Sequence, residues 1–155
     1  MVSYSPAANR AIAPEPPRLV WWQRSIALIL GFGAITLLVV ASQLTPSSSG
    51  FGTHRQLGLA ECTMVQLAGI RCPACGMTTS WAYATRGNLV AAARTNSGGL
   101  TLALAAMIGG PWFAVSGLIG RWWLVKFRDG PAVAVCVFVV VITLIDWGVR
   151  LSMAS

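Results

Sequence analysis

The sequence predicts an all-α membrane protein with three transmembrane helices, and with a short amphipathic helix and a cysteine-containing turn in the exterior segment between the first two. Of its 155 residues, 55% are hydrophobic and only 10% are charged, whereas a soluble domain carries about 25% charged residues. Three stretches are also apolar over a length close to the ~20 residues that cross a bilayer. Together these observations exclude an ordinary soluble globular fold.

The chain divides into a tail and one membrane domain. Residues 1–20 are rich in Pro and Ala and have no apolar period, so we predict a disordered, Pro-rich cytoplasmic tail. Residues 21–155 are predicted to form a single membrane domain. Its spans cover about residues 26–44, 97–120 and 131–150, and its exterior segment covers 45–96.

The first span is a run of 19 uncharged residues, 26–44, rich in Ile, Leu and Val. At 1.5 Å per residue, its length is close to the ~30 Å thickness of the hydrocarbon core. The alternative is a secretory signal peptide, whose apolar region is normally about 7–15 residues long and ends at a small-x-small cleavage site. Ala41-Ser42-Gln43 matches such a site poorly, and we therefore favour an uncleaved membrane anchor.

The exterior segment is predicted to contain three short helical pieces. In the first, apolar residues recur at helical spacing opposite Gln and Glu, which predicts an amphipathic helix ending at Gly69. A second helix is predicted from about 78 to 86, with a stop at Gly87, and a further helical turn over 89–94. The apolar positions of the first piece are Leu57, Ala60, Met64, Leu67 and Ala68.

The second span is rich in Gly and Ala. Gly109-Gly110-Pro111 predicts a kink in its middle, which a membrane protein tolerates. Gly110 and Ala114 have the small-xxx-small spacing of close helix contacts, as have Ala105 and Gly109. Such pairs indicate either an interface between copies or a chance result of this composition.

The third span ends in charged residues. Pro131 at its start fits a first-turn helical proline. Asp146 and Arg150 are four residues apart and are predicted to pair near the membrane interface. An ordinary helix-end pair is favoured over a proton-relay role for Asp146.

Basic residues and tryptophans predict the orientation. Six of the 11 basic residues lie before the first span or in the loop between the second and third, and basic residues mark cytoplasmic segments. Trp21-Trp22 and Trp122-Trp123 lie beside these charges, as in an aromatic belt. We therefore predict a membrane protein with a cytoplasmic N-terminus and an exterior cysteine motif. The six basic residues are Arg10, Arg18, Arg24, Arg121, Lys126 and Arg128.

The predicted partner is the lipid bilayer, with another membrane protein or a second copy as the alternative protein partner. The basic residues are too dispersed for a nucleic-acid patch. The sequence also has no phosphate loop, dinucleotide fingerprint or HExxH motif, so it indicates no enzyme class.

One group of residues could carry chemistry. Cys72 and Cys75, at i and i+3, can bind one metal ion or close a small disulfide ring. In the metal interpretation they lie on a tight knuckle, for which Gly76 supplies the left-handed conformation. Cys62 and His54 then complete a tetrahedral site with three sulfurs and one nitrogen, an arrangement that zinc accepts.

A redox interpretation uses the same cysteines. If Pro73 is the first residue of a helix and Cys72 is its cap, the helix dipole favours a reactive Cys72 thiolate, with Cys75 as the second thiol. A third interpretation is a structural disulfide or small buried thiols within a membrane-facing turn. Independently of these interpretations, Thr78, Thr79 and Ser80 could hydrogen-bond the backbone of the turn. Cys136 lies in the last span, which leaves an odd number of cysteines outside.

The motif consists of Cys62, nine further residues, Cys72-Pro73-Ala74-Cys75-Gly76, then Thr78, Gly87-Asn88, Ala91-Ala92 and Asn96. Over about residues 57–120 it resembles a family of small bacterial membrane proteins known only as a domain of unknown function. That family has an upstream Cys, then Cys-Pro-x-Cys-Gly-x-Thr-Arg, then Gly-Asp/Asn and an Asn before a membrane span. Thr79 stands here where the family typically has Arg, and Arg71 or Arg86 could substitute. The resemblance implies the membrane architecture and the importance of Cys62, Cys72, Cys75, Gly76 and Thr78.

These patterns predict a non-enzymatic membrane protein, acting as a subunit or accessory factor, whose exterior turn forms a zinc-binding or disulfide-stabilised structural site. The resemblance implies that its membrane is the bacterial inner membrane, which places the exterior turn in the periplasm. The alternative is a membrane thiol–disulfide redox protein that uses Cys72 and Cys75.

Overall fold

The computed structural model describes residues 18–124, 127 and 129–154 and shows an all-helical protein. No strand occurs among these residues, so the predicted fold class is confirmed. The predicted tail lies almost wholly outside the described residues. The helices are α1 (Trp21–Gln43), α2 (Thr63–Ala68), α3 (Met77–Ala84), α4 (Leu89–Thr95), α5 (Ser97–Ile119) and α6 (Asp129–Ala154), with a 3₁₀ helix at Thr53–Leu57.

Three helices, α1, α5 and α6, are long and apolar enough to cross a membrane. Two of them begin earlier than the charge-free stretches predict, α1 at Trp21 and α6 at Asp129. Helix α1 includes the charged Arg24 because this residue makes a tertiary contact. Its guanidinium donates to the carbonyl oxygens of Gly117 (2.9 Å) and Leu118 (3.3 Å). A cation at the last carbonyls of α5 is electrostatically favourable, so the helix accommodates this charge.

Small residues bring α1 and α5 into close contact. Gly31 lies so near Ala114 that a Cβ on Gly31 would overlap the Ala114 backbone, and a Cβ on Gly110 would lie 3.2 Å from the Ala34 Cβ. Gly110 and Ala114 therefore pack against α1 of the same chain. Around Gly109, in contrast, the space next to a Cβ contains only the side chain of Phe113, at 3.9 Å.

Helix α6 packs on α5 at one end. A Cβ on Gly98, near the start of α5, would overlap the side chain of Thr143. None of the residues in the most apolar stretch of α6 is buried inside the protein. We call the end of the bundle at which α1 and α6 finish and α5 starts the Cys end, because the cysteine turn lies there.

Aromatic residues gather at the opposite end. The rings of Trp112 and Trp122 stack with centroids 5.3 Å apart, and Phe127 stacks on Trp122 at the same distance. The backbone N–H of Leu19 donates to the carbonyl oxygen of Gly120 at 2.8 Å, which joins the start of α1 to the end of α5.

The segment between α1 and α5 differs from prediction in one helix. A short helix ends at Gly69 as expected, but it begins only at Thr63. Leu57 belongs to the 3₁₀ helix, which Gly58 ends at φ +76°, and Ala60 lies in the irregular stretch between the two. The helical spacing of the apolar residues therefore spans two elements. The second and third predicted pieces correspond to α3 and α4.

Candidate metal site

Three cysteine sulfurs lie together at the Cys end. The Sγ atoms of Cys62, Cys72 and Cys75 are all within 4.8 Å of one another, and those of Cys72 and Cys75 are 3.3 Å apart. All are free thiols in the structure. Cys136 is on α6, exposed, and is not part of this cluster. The sequence thus correctly grouped three cysteines and set the fourth apart.

Residues 72–76 form a tight turn, which we call the Cys turn. The backbone N–H of Cys75 donates to the carbonyl oxygen of Cys72 at 3.0 Å, and that of Met77 donates to Ala74 at 3.1 Å. Helix α3 begins only at Met77. Pro73 is therefore not the first residue of a helix and Cys72 is not its cap, so the helix-dipole basis of the redox interpretation is wrong.

Gly76 is required by both conformation and space. Its φ is +88°, the left-handed conformation expected of it. A Cβ at this position would lie 2.8 Å from the carbonyl oxygen of Gly50 and 3.0 Å from that of Thr95. The knuckle geometry of the metal interpretation is present, and it depends on glycine.

Cys62 reaches the cluster from the other side. It is the cap residue of α2, and its carbonyl oxygen accepts from the backbone N–H groups of Val65 (2.9 Å) and Gln66 (3.1 Å). The cluster therefore joins the start of α2 to the Cys turn. No residue from 54 to 74 is buried, so α2 and its flanking residues contribute no buried side chain of their own.

Asn96 fastens the Cys turn to the start of α5. Its Nδ2 donates to the carbonyl oxygens of Pro73 (3.0 Å) and Cys75 (3.2 Å), and its Oδ1 accepts from the backbone N–H of Gly99 at 2.7 Å. The side chain is fully buried. One amide thus satisfies two carbonyls of the turn and caps a transmembrane helix.

Hydroxyl groups hold α3 beneath the turn. Ser80 Oγ donates to the carbonyl oxygens of Ala92 (2.9 Å) and Asn96 (3.0 Å). Thr79 is fully buried, and its Oγ1 is hydrogen-bonded to Thr53 Oγ1 at 2.7 Å. Thr78 lines the pocket beside the cysteines.

Helix α6 also reaches the turn. The guanidinium of Arg150 donates from Nη1 to the carbonyl oxygens of Cys75 (3.1 Å) and Thr95 (3.4 Å), and its Nη2 lies 2.7 Å from Asp146 Oδ2. The indole Nε1 of Trp147 donates to the carbonyl oxygen of Arg71 at 2.6 Å. The predicted Asp146–Arg150 pair is present, and the arginine also binds the cysteine turn.

Two of the three thiols differ in acidity. Hydrogen bonds from the Val65 backbone and from Cys72 lower the pKa of Cys62 to about 7. Burial raises the pKa of Cys75 to about 12, and its hydrogen bonds with the other two thiols act in the same direction. Near neutral pH Cys62 is therefore about half thiolate, whereas Cys75 keeps its proton.

His54 lines the same pocket, of about 190 Å³, as the three cysteines, although its ring is not part of the sulfur cluster. Its Nε2 lies 3.1 Å from the carbonyl oxygen of Ala60. Because a carbonyl only accepts, this contact favours the tautomer with the proton on Nε2 and leaves Nδ1 with a free lone pair. The guanidinium of Arg71 lies over the ring of Phe51, which lines the same pocket. Arg86 instead donates to the carbonyl oxygen of Ser42.

The sulfur spacing suits a tetrahedral metal. Two thiolates each about 2.3 Å from a tetrahedral zinc lie about 3.8 Å apart. The Cys72 and Cys75 sulfurs are slightly closer than that, at 3.3 Å, and all three sulfurs lie within 4.8 Å of one another. Thiolate and imidazole ligands are those that zinc accepts.

Sequence reasoning did not predict which groups position the turn. It named Asn96 as part of the motif but gave it no role, although Asn before Ser-Gly-Gly at the start of an apolar run is a helix-cap signal. Arg150 and Trp147 gave no local signal, since they are separated from their partners Cys75 and Arg71 by 75 and 76 residues.

Comparison with known proteins identifies one relationship. Residues 62–110 match the model of a family described as "Protein of unknown function (DUF2752)". The match begins at Cys62 and includes the Cys turn, α3, α4 and the first half of α5. No curated protein and no solved structure matches the chain.

Proposed function

We propose that this protein is a small, non-enzymatic membrane protein whose Cys turn and Cys62 bind one zinc ion in a structural site. The observation that carries the proposal is the convergence of three cysteine sulfurs, from two separate segments, within 4.8 Å. Three thiolates at this spacing would supply three of the four ligands that a structural Zn²⁺ ion requires.

The local packing explains why a metal would be useful there. Residues 54–74 contain no buried residue, and the apolar side chains of Leu57, Leu59 and Leu67 are about half exposed or more. A segment without a core gains little from the hydrophobic effect. A zinc ion bound by Cys62 and by the Cys turn would cross-link the segment, and in structural sites binding energy becomes folding energy.

His54 is the proposed fourth ligand, through Nδ1. A metal-bound histidine commonly donates its other ring N–H to a backbone carbonyl, which fixes the tautomer. The contact of His54 Nε2 with the Ala60 carbonyl is of this kind, and the ring borders the pocket that the sulfurs line.

The proposed location is the bacterial inner membrane, with the N-terminus in the cytoplasm and the Cys end outside. Support comes from the basic residues: Arg24 and Arg121 lie at the end of the bundle opposite the Cys turn, where cytoplasmic charges are expected. The aromatic cluster of Trp112 and Trp122 lies at the same end. The lipid-facing surface would include the exposed apolar side chains of α6.

The test is metal analysis of the full chain purified in detergent with zinc and a reductant. We expect one zinc per chain in the wild type and in Cys136→Ser, a matched control outside the cluster. Cys62→Ser, Cys72→Ser and Cys75→Ser should lose it, and His54→Ala should bind it more weakly. A wild-type protein that retains no zinc would remove the proposal.

A second candidate function is thiol–disulfide exchange, which the 3.3 Å separation of the Cys72 and Cys75 sulfurs favours. The Cys72 thiolate would attack a substrate disulfide, form a mixed disulfide and expel the first substrate thiolate. That thiolate would take the proton of Cys75, whose sulfur would then attack Cys72 Sγ, which forms the Cys72–Cys75 disulfide and expels the second substrate thiolate. Cys75→Ser should then trap a mixed disulfide at Cys72 in cells. Absence of any such adduct counts against this function.

A further inference from the structure

The last transmembrane helix is attached to the cysteine site by two side chains. Arg150 Nη1 donates to the carbonyl oxygen of Cys75, one of the three clustered cysteines, and Trp147 Nε1 donates to the carbonyl oxygen of Arg71, next to Cys72. Both donors lie on the last turns of α6, and both acceptors are backbone atoms of the Cys turn or its immediate neighbour. The position of the turn backbone therefore decides whether these two hydrogen bonds form, although Arg150 also contacts the carbonyl oxygen of Thr95 and the carboxylate of Asp146.

Elsewhere α6 has few contacts with the rest of the chain. Gly98 of α5 closely approaches Thr143, which lies on the Cys-end half of α6. The most apolar stretch of α6 contains no buried residue. The α1–α5 pair, in contrast, has close contacts at three glycines, Gly31, Gly110 and Gly117. Contacts at the Cys end therefore make up most of what fixes α6 within the described structure.

The Arg150 guanidinium is held in a partly desolvated position. Its side chain is 20% exposed and that of its partner Asp146 is 21% exposed. Hydrogen bonds that involve an ionised group are stronger than neutral ones, and losing an acceptor from a buried charge is costly. A movement of the Cys75 carbonyl would thus be transmitted to α6.

We propose that zinc at the three-cysteine site controls the docking of α6, with Arg150 and Trp147 as the positioning residues that couple the two. The inference rests on the proposed metal site and adds a regulatory role to it. With zinc bound, Cys72 and Cys75 are fixed to one ion, so the carbonyls of Cys75 and Arg71 are held where α6 needs them. Without zinc the turn loses this restraint and α6 is released at its Cys end. The coupling is reciprocal, so that a docked α6 raises the affinity for zinc by the same factor as zinc raises the stability of docking.

The structural arm of the test uses the full chain labelled with 5-fluorotryptophan. The ¹⁹F signal of Trp147 is assigned as the one missing from Trp147→Phe, and Trp21, at the opposite end of the bundle, serves as the internal control. We expect removal of zinc by a chelator to shift or broaden the Trp147 signal and to leave the Trp21 signal unchanged. A Trp147 signal that is identical with and without zinc would overturn the coupling.

The binding arm measures zinc affinity by competition with a chelator. Arg150→Gln should weaken zinc binding about tenfold, as does the replacement of other groups that hydrogen-bond to metal-binding residues. Trp147→Phe removes a single donor and should weaken zinc binding about threefold. Arg94→Gln is the matched control, because Arg94 is also an arginine near the Cys end but is exposed on α4, and it should change affinity less than twofold. Wild-type affinity in both α6 variants would contradict the inference.

The two arms separate this inference from the proposed function. A wild-type protein that binds no zinc removes both. A wild-type protein that binds one zinc, with no change at Trp147 and no loss of affinity in Arg150→Gln or Trp147→Phe, leaves the metal site in place and removes only the coupling. Trp147→Phe keeps the inference testable if Arg150→Gln fails to fold, because Phe keeps an aromatic ring at this position and removes only the Nε1 hydrogen bond.

Discussion

The side-chain amide of Asn96 donates a hydrogen bond to the backbone carbonyl of Cys75, at 3.2 Å, across 21 residues of sequence. The same amide also donates to Pro73, and its Oδ1 caps α5 by accepting from Gly99. A single buried side chain thus ties the Cys turn to a transmembrane helix, so its loss should affect both.

Replacing Asn96 with Ala should destabilise the protein by about 3 kcal/mol, because about 1 kcal/mol of capping is lost and two carbonyls lose a donor. Asn88→Ala is the matched control, since Asn88 caps α4 through Ala91 but is exposed and does not contact the turn. It should cost only about 1 kcal/mol. Equilibrium unfolding in mixed micelles measures both, and equal losses would show that the bonds to Pro73 and Cys75 contribute nothing.

Replacing Gly76 with Ala should disrupt the Cys turn. The left-handed φ alone makes any L-residue cost about 1 kcal/mol, and the added Cβ would also approach the carbonyl of Gly50 at 2.8 Å. Gly87→Ala shares the positive φ, +76°, but its Cβ meets nothing within 4 Å. We expect weaker zinc binding in Gly76→Ala and wild-type binding in Gly87→Ala, measured by chelator competition. If the two variants bind zinc alike, crowding at Gly76 does not matter.

Replacing Gly31 with Ala should separate α1 from α5. The new Cβ would overlap the backbone of Ala114, and overpacking of this kind costs about 1–3 kcal/mol. Gly33→Ala lies on the same helix with nothing within 4 Å of its Cβ, so its effect should stay within about 0.5 kcal/mol. Unfolding of the two variants in micelles tests the difference. A neutral Gly31→Ala would contradict the close packing of the pair.

Alkylation of the metal-free, reduced protein should reach Cys62 before Cys75. Its pKa of about 7 means that it is half thiolate near neutral pH, while Cys75, with a pKa of about 12, remains a thiol. Because the thiolate is the nucleophile, the rate at Cys62 should fall about tenfold per pH unit well below pH 7. Mass spectrometry after brief treatment with iodoacetamide locates the label, and faster labelling of Cys75 would contradict this order. Unfolded protein, in which the three thiols should react alike, is the control.

The proposed topology has a direct check in cells. After mild reduction and removal of metal, a membrane-impermeant maleimide should label Cys72 or Cys75 from outside intact cells. The Cys72→Ser, Cys75→Ser double variant, which separates these sites from Cys62, should show a corresponding loss. Labelling of these two cysteines only after lysis would reverse the orientation.

The sequence predicted those parts of the fold that depend on local composition. Charge-free runs such as 97–120 identify spans because hydrocarbon excludes charges, and α5 matches that run within one residue. The start of α1 was missed because Arg24 looked like a boundary, whereas the end of α5 accepts its charge. The spacing of Leu57 and Met64 looked like one helix because periodicity cannot reveal the left-handed Gly58 between them.

In the candidate site, too, local features could be predicted and contacts between distant elements could not. Cys72, Cys75 and Gly76 lie within five residues, so their spacing was enough to predict the knuckle. The position of Cys62 depends on the path of the chain between it and Cys72, so only the metal interpretation and the resemblance placed Cys62 with the other two cysteines. Contacts that join distant elements, such as Arg150 with Cys75, leave no trace in a local pattern.

The close pairing of α1 with α5, and the attachment of α6 only at its Cys end, imply an order of assembly during synthesis. The first two spans can pair through Gly31 and Ala114 as soon as both have entered the bilayer, since folding proceeds from the N-terminal side as the chain is made. In the proposed orientation the Cys turn is already outside at that stage, but Trp147 and Arg150 have not yet been translated. We therefore expect a two-helix intermediate in which the cysteines are present but the Cys turn lacks its contacts with α6, and insertion of the last helix adds those contacts.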